Sequence, residues 1–169
     1  VSKQAASISG TTARLKAGDR LSLFDLMHGM ILSSGNDASY QLAEFFGDML
    51  WDMRQVMNAH KKPCKQPVDY FLQEGNKVLK DKLGLTNTYY GSPHGLSHNM
   101  NRSTCFDMCL VLINVLKDPF YQQIVTQLDY RCRSRVEGME SAENLQGSDY
   151  NLRKFYYPTG KHLGKAEFK

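Results

Sequence analysis

Apolar positions recur with helical spacing along much of the chain. Leu23, Leu26, Met27, Met30 and Ile31 follow an i, i+3, i+4, i+7, i+8 pattern, which predicts a helix with one buried face. Ser22 followed by Asp25 resembles a capping box, with Asp in place of Glu, and Leu21 and Leu26 occupy the staple positions. This helix should stop at Ser33-Ser34-Gly35-Asn36, where Gly and Asn favour a turn. A second helix is expected over 37–47, carried by Leu42, Ala43, Phe45 and Phe46. Residues 48–67 are less regular, and 60–65 read as an exposed basic loop. A third helix fits 68–83, ended by Gly84 where a left-handed residue is wanted. A fourth starts near Ser103 or Thr104 and reaches Leu116. It is apolar nearly all round, which predicts a central position. Asp118-Pro119 ends it, and a short helix follows from Phe120.

Between the helices the pattern shortens. Residues 1–18 are rich in Ser, Thr, Ala and Gly and read as irregular strand and loop, with a turn at Lys16-Ala17-Gly18-Asp19. Residues 86–90 are β-prone, and Gly91-Ser92-Pro93-His94-Gly95 is a tight turn. Arg131, Arg133 and Arg135 alternate with Tyr130, Cys132 and Ser134. That period of two predicts a strand over 127–136 with one solvated basic face. A polar loop over 137–151 and a β-prone tail complete the pattern, without internal repeats.

Composition narrows the class. The 169 residues are 41% hydrophobic and 22% charged, ordinary values for one folded domain and not for a disordered chain. A net charge of +4 with scattered basic residues gives no nucleic-acid footprint. No apolar run approaches the roughly 20 residues of a membrane helix. The start, Val1-Ser2-Lys3-Gln4, lacks the basic-then-apolar order of a signal peptide, and the chain reads as a fragment of something longer.

Candidate chemistry is sparse at this level. His94, His98, Cys105 and Cys109 make two i,i+4 pairs of metal-capable residues. Pro93 and Gly95 place the histidines in a turn and the cysteines fall in an apolar helix, so no metal and no cofactor is expected. The four cysteines are too few for a disulfide scaffold. They are expected as buried small hydrophobes, and unpaired thiols lean toward a reducing compartment.

A family resemblance is carried by ordered motifs. Leu15-Lys16-Ala17-Gly18-Asp19-Arg20-Leu21-Ser22 precedes a helix, then Met30-Ile31-Leu32-Ser33-Ser34-Gly35-Asn36-Asp37-Ala38-Ser39. Leu83-Gly84-Leu85-Thr86-Asn87-Thr88, Ser92-Pro93-His94-Gly95-Leu96, and Ser103-Thr104 with Asp107 follow in order. Lys161-His162-Leu163-Gly164-Lys165 looks like the stretch before the last motif. Together they resemble the serine D-Ala-D-Ala carboxypeptidases, the low-molecular-mass penicillin-binding proteins. The departure is residues 48–67, which look like an insertion in one partial carboxypeptidase-like domain over 1–169.

The resemblance implies an α/β (α+β) β-lactamase/transpeptidase-like fold, mostly helical in this chain. It implies an acyl-serine peptidase acting on a D-Ala-D-Ala-type peptide or a β-lactam. Ser34 would relay protons to the leaving group and Asn36 would bind the substrate amide. The family's other motifs are S-x-x-K, supplying nucleophile and base, and K-T-G, which meets the substrate carboxylate. Neither string occurs here; Pro158-Thr159-Gly160 lacks the cation. Export or a periplasmic location follows from the resemblance.

The alternative is a catalytically inactive homologue, intracellular or organellar, serving as a structural or binding component, with a protein partner at the insertion. On that reading Ser34 and Asn36 only end one helix and cap the next. His94 is expected as a turn residue packing under the cleft, and Ser103 and Thr104 as caps.

Overall fold

The computed structural model describes residues 1–56, 66–136 and 149–153. In chain order the elements are α1 (Lys3–Ala6), β1 (Asp19–Arg20), α2 (Leu23–Ile31), α3 (Asn36–Val56), α4 (Pro67–Leu83), α5 (Cys105–Val115), α6 (Pro119–Val125), β2 (Asp129–Arg133), β3 (Arg135–Val136) and β4 (Asp149–Arg153). They divide into two compact units, Val1–Gln41 with Phe120–Lys169, and Leu42–Pro119.

The first unit brings strands from early and late in the chain together. β1 pairs antiparallel with β3, Asp19 opposite Val136. β2 pairs antiparallel with β4, Tyr130 opposite Leu152 and Cys132 opposite Tyr150. Among the described residues, Ala5, Ala13, Leu15, Leu26, Leu32, Ala38, Tyr40, Ile124, Tyr150 and Leu152 are its buried apolar residues. The Tyr150 hydroxyl accepts from the Lys16 amide at 3.1 Å and donates to the buried Asp19 carboxylate. This ties β4 to the turn before β1.

α2 starts as expected. The Ser22 side chain accepts from the Asp25 amide, and the Asp25 carboxylate accepts from the Ser22 amide, completing a capping box. Its buried residues are Leu26, His28 and Gly29, whereas Leu23 is exposed. The inward face is therefore rotated from the one the apolar positions mark, because a histidine and a glycine take part in the packing.

Several expectations are corrected. Residues 1–18 are not wholly irregular: Ser2 caps α1, accepting from the Ala5 amide at 2.9 Å. The second helix does not stop at Gly47 but runs to Val56, so 48–56 are helical. Gly47 marks a close approach and not an end: a Cβ there would lie 2.0 Å from the Pro67 carbonyl oxygen. Residues 57–65, including the expected basic loop, lie outside the described residues. The expected strand over 127–136 is interrupted at Ser134 and its halves pair with different partners. Residues 149–151, expected in a loop, belong to β4; the rest of that loop and the tail beyond 153 lie outside the described residues.

The second unit holds α4 and α5. α4 has Pro67 at its first turn and ends on Gly84 with φ of 69°, where a residue without Cβ adopts the left-handed conformation freely. α5 is not buried among the described residues. Phe106, Leu112, Ile113 and Leu116 are exposed, and the one buried α5 residue is Asp107. Its carboxylate accepts from the Thr88 hydroxyl at 2.7 Å. A polar anchor, invisible to an apolar count, sets which side of α5 faces inward. Cys105 and Cys109 are exposed with it and Cys132 is half-buried, so these thiols are not the buried hydrophobes expected. Cys64 lies outside the described residues.

Candidate active site around Ser34 and Asn36

The junction of α2 and α3 is set by backbone geometry that side chains reinforce. The Leu32 amide bonds to the His28 carbonyl at 2.9 Å and the Gly35 amide to the Gly29 carbonyl at 3.0 Å. The reversal passes through Ser34, whose φ is 51°. Left-handed backbone is rare for a residue with a Cβ and costs roughly 1–2 kcal/mol. α3 begins immediately, with the Ser39 amide bonded to the Gly35 carbonyl at 3.0 Å.

Gly35 has no room for a side chain. A Cβ there would lie 2.8 Å from the Gly29 oxygen and 2.9 Å from the Ala13 nitrogen. Gly29 serves the same closeness from α2, its added Cβ falling 3.2 Å from the Ala38 Cβ. The glycines let three backbone segments meet: α2, the start of α3, and residues 9–15.

Asn36 is buried and committed to that third segment. Its amide bonds to the Thr11 carbonyl at 2.8 Å, and its Nδ2 donates to the Ser9 carbonyl at 2.9 Å. Asp37, at 1% exposure, gathers three amides: Ala13 at 2.8 Å and Ala38 at 2.9 Å on Oδ1, and Leu15 at 2.9 Å on Oδ2. Arg14, between the two bound residues 13 and 15, also has positive φ, 62°. The Ser34 side chain is half-buried. Ser34 and Asn36 thus sit together at the junction of α2 and α3.

A second polar cluster lies in the same unit and escaped the motif reading. The Tyr130 hydroxyl donates to Asp25 at 2.7 Å, and the Ser22 hydroxyl to the other oxygen at 2.6 Å. Burial pushes the Asp25 carboxyl up, but the bonds from Ser22, Tyr130 and Cys132 outweigh it and hold it below its ordinary value. Burial, then the Asp25 charge, pushes the Cys132 thiol up to about 12, and the Tyr130 hydroxyl is raised by burial and its bond to Asp25. Tyr130 also stacks on His28, centroids 3.9 Å apart. His28 Nδ1 donates to the Phe24 carbonyl at 2.7 Å, and its buried Nε2 has no partner among the described residues. The pairing is legible only once β2 is placed against α2, 105 residues apart in sequence.

The remaining singled-out residues belong to the second unit. His94 is half-buried in its turn, with the Leu96 amide donating to its Nδ1 at 3.3 Å. Burial, then the neighbouring His98, holds its pKa below the ordinary value. Thr104 caps α5, accepting from the Asp107 amide at 3.1 Å. Ser103 does not cap; its hydroxyl pairs with that of Thr88 at 2.8 Å. Among the described residues no group of three His, Cys, Asp or Glu side chains is placed to hold a metal ion, and no helix is long and apolar enough to cross a membrane.

The fold is shared with solved structures of a DD-transpeptidase and a D-alanyl-D-alanine carboxypeptidase. A mutant of a Streptomyces DD-transpeptidase superposes on 90% of this chain and 54% of its own length, at TM-score 0.71 and 21% identity. The D-alanyl-D-alanine carboxypeptidase DacD of Francisella tularensis superposes on 78% of this chain and 27% of its own, at TM-score 0.63 and 26% identity. The chain therefore has the β-lactamase/transpeptidase-like fold, about half helical among the described residues. The family model described as D-alanyl-D-alanine carboxypeptidase matches residues 67–154, more than half of the chain, and the chain belongs to that family. DacF of Bacillus subtilis is 29% identical over 116 residues, 69% of this chain and 25% of its own length. DacC of Escherichia coli is 35% identical over 97 residues, 57% of this chain and 20% of its own length. The chain thus spans about a quarter or less of these two relatives.

Proposed function

We propose that the protein is a serine-type D-Ala-D-Ala carboxypeptidase to which this chain contributes the S-x-N corner of the active site. The carrying observation is Ser34. A serine occupies a left-handed position (φ 51°) that Gly or Asn would fill with less strain, and strain of this kind is kept where a side chain is needed. In the proposed reaction an activated serine attacks the carbonyl of the terminal D-Ala-D-Ala bond. A tetrahedral intermediate forms, collapses to an acyl-enzyme and releases D-alanine; water then hydrolyses the ester. Ser34 passes the proton to the departing amine, and Asn36 holds the substrate amide in line. Nucleophile and base come from an S-x-x-K sequence outside these residues, and the carboxylate contact from a K-T-G.

A carboxamide has two donor protons and one acceptor. The bond to Ser9 uses one donor and fixes the plane of Asn36, which is the preorganisation a substrate-orienting group needs. The same bond also suits a second reading, an inactive homologue in which Asn36 only ties α3 to residues 9–15. Release of D-alanine from a D-Ala-D-Ala peptide by the full-length protein separates them. Turnover with acylation by labelled penicillin supports the enzyme; neither, in a folded protein, supports the inactive component.

Residues 48–67 stand in this reading as an insertion in a single partial domain over 1–169, with a protein partner. Its described helical part exposes Met49 and Met53, and the family match begins at its last residue, 67.

A further inference from the structure

Ser34 and Asn36 are neighbours in sequence, yet their geometry depends on a segment more than twenty residues earlier. Asn36 bonds to Ser9 and Thr11, and Gly35 packs on the Ala13 nitrogen. What holds that segment in place is the buried carboxylate of Asp37. One carboxylate collects the amides of Ala13, Leu15 and Ala38 within 2.9 Å. Amides two residues apart in an extended strand point to the same side but lie roughly 6.5–7 Å from each other, so they close on one carboxylate when the backbone between them is drawn in. Arg14, with φ of 62°, does this.

We infer that Asp37 is a positioning residue for the S-x-N pair. It clamps residues 13–15 against the start of α3, and the clamped segment in turn presents the Ser9 and Thr11 carbonyls that orient Asn36. Asp37 needs no contact with substrate. Its charge suits this role, since a carboxylate accepts several amides at once and makes charge-assisted bonds, whereas a carboxamide in the same place would set an N–H against an amide donor. The inference rests on the proposed role of Ser34 and Asn36, but the clamp itself can be tested without activity.

The test uses full-length protein carrying Asp37→Asn, Arg14→Val or Arg14→Gly. Asp37→Asn keeps size and removes the second acceptor. Arg14→Val keeps the carboxylate but resists the left-handed turn, and Arg14→Gly accepts it. Turnover is measured at a temperature where each variant is folded. Asp37→Asn is expected to lower kcat by ~10²-fold, the scale of a displacement near 1 Å, with KM nearly unchanged. Arg14→Val should move kcat the same way and Arg14→Gly should restore it. Hydrogen exchange at the Ala13 and Leu15 amides should quicken in Asp37→Asn and Arg14→Val, and the Asn36 carboxamide resonances should shift. Wild-type kcat in folded Asp37→Asn overturns the inference, as does unchanged exchange at both amides. If wild-type protein itself lacks turnover, the proposed function fails; the exchange rates and the Asn36 resonances then decide the clamp alone. A folding failure of Asp37→Asn leaves the Arg14 pair to decide it.

Discussion

The carboxamide of Asn36 donates to the main-chain carbonyl of Ser9 at 2.9 Å, from a residue only 6% exposed. A group held this way is costly to remove whatever it does for substrate. Asn36→Ala leaves the Ser9 carbonyl without its donor and should cost about 1–3 kcal/mol. Calorimetry or urea titration measures that loss. If the site reading holds, the same variant also lowers D-Ala-D-Ala turnover by ~10²-fold in full-length enzyme. Loss of stability with turnover intact leaves Asn36 a structural tie alone.

Gly35 has no tolerance for a methyl group. Its Cβ would meet backbone atoms of Gly29 and Ala13 under 3.0 Å, and backbone yields less readily than a side-chain tip. Gly35→Ala should destabilise by about 1–3 kcal/mol and displace Ser34 and Asn36 together. Gly75→Ala in α4 is the control. Nothing lies within 4 Å of its added Cβ, and an alanine mid-helix should stabilise by about 0.5–1 kcal/mol. Thermal melts of the pair check both signs.

The three described cysteines differ in environment. With its pKa pushed up to about 12, Cys132 has a thiolate fraction of only about 10⁻⁴ at pH 8, and the thiolate is the reactive form. Iodoacetamide at pH 8 should label exposed Cys105 and Cys109 first and Cys132 last, with Cys132 reacting freely on unfolding. Peptide mass mapping at timed quenches reads the order. Labelling of Cys132 as fast as Cys105 would mean that its bond to Asp25 is not maintained.

His94 gives a pH signature. Its folded pKa lies below the ordinary 6.5, so below that pH the unfolded chain binds the proton more readily. Its contribution is complete above pH 6.5 and declines as pH falls through that value. Protonation also removes Nδ1 as acceptor for the Leu96 amide. Wild-type melting temperature should fall on acidification from pH 7.5 to 5.5, and His94→Asn should flatten that part of the curve. An unchanged slope in the variant assigns the decline elsewhere.

What could be read from the sequence follows from locality. The Ser22–Asp25 box, the Gly84 terminus and the Thr104 cap are written within four residues of one another, and each element start or stop is where those residues put it. The candidate S-x-N stretch could be picked out of the sequence because residues 34–36 are contiguous. Its supports were not, because Asp37 reaches back to Ala13 and Leu15, and Asn36 to Ser9. Gly47 misled for a related reason: a glycine demanded by the distant Pro67 backbone looks locally like a helix end. α5 misled because its apolar count says nothing about Asp107, whose bond to Thr88 chooses the inward face.

The central claim is that Ser34 keeps a strained backbone for the sake of its hydroxyl. Ser34→Gly tests it most directly, because one substitution relieves the strain and removes the hydroxyl. Melting temperature and D-alanine release are measured on the same full-length preparation. The expected variant is more stable by about 1 kcal/mol and releases D-alanine at least ~10²-fold more slowly. A Ser34→Gly enzyme that gains stability and keeps wild-type turnover would contradict the claim.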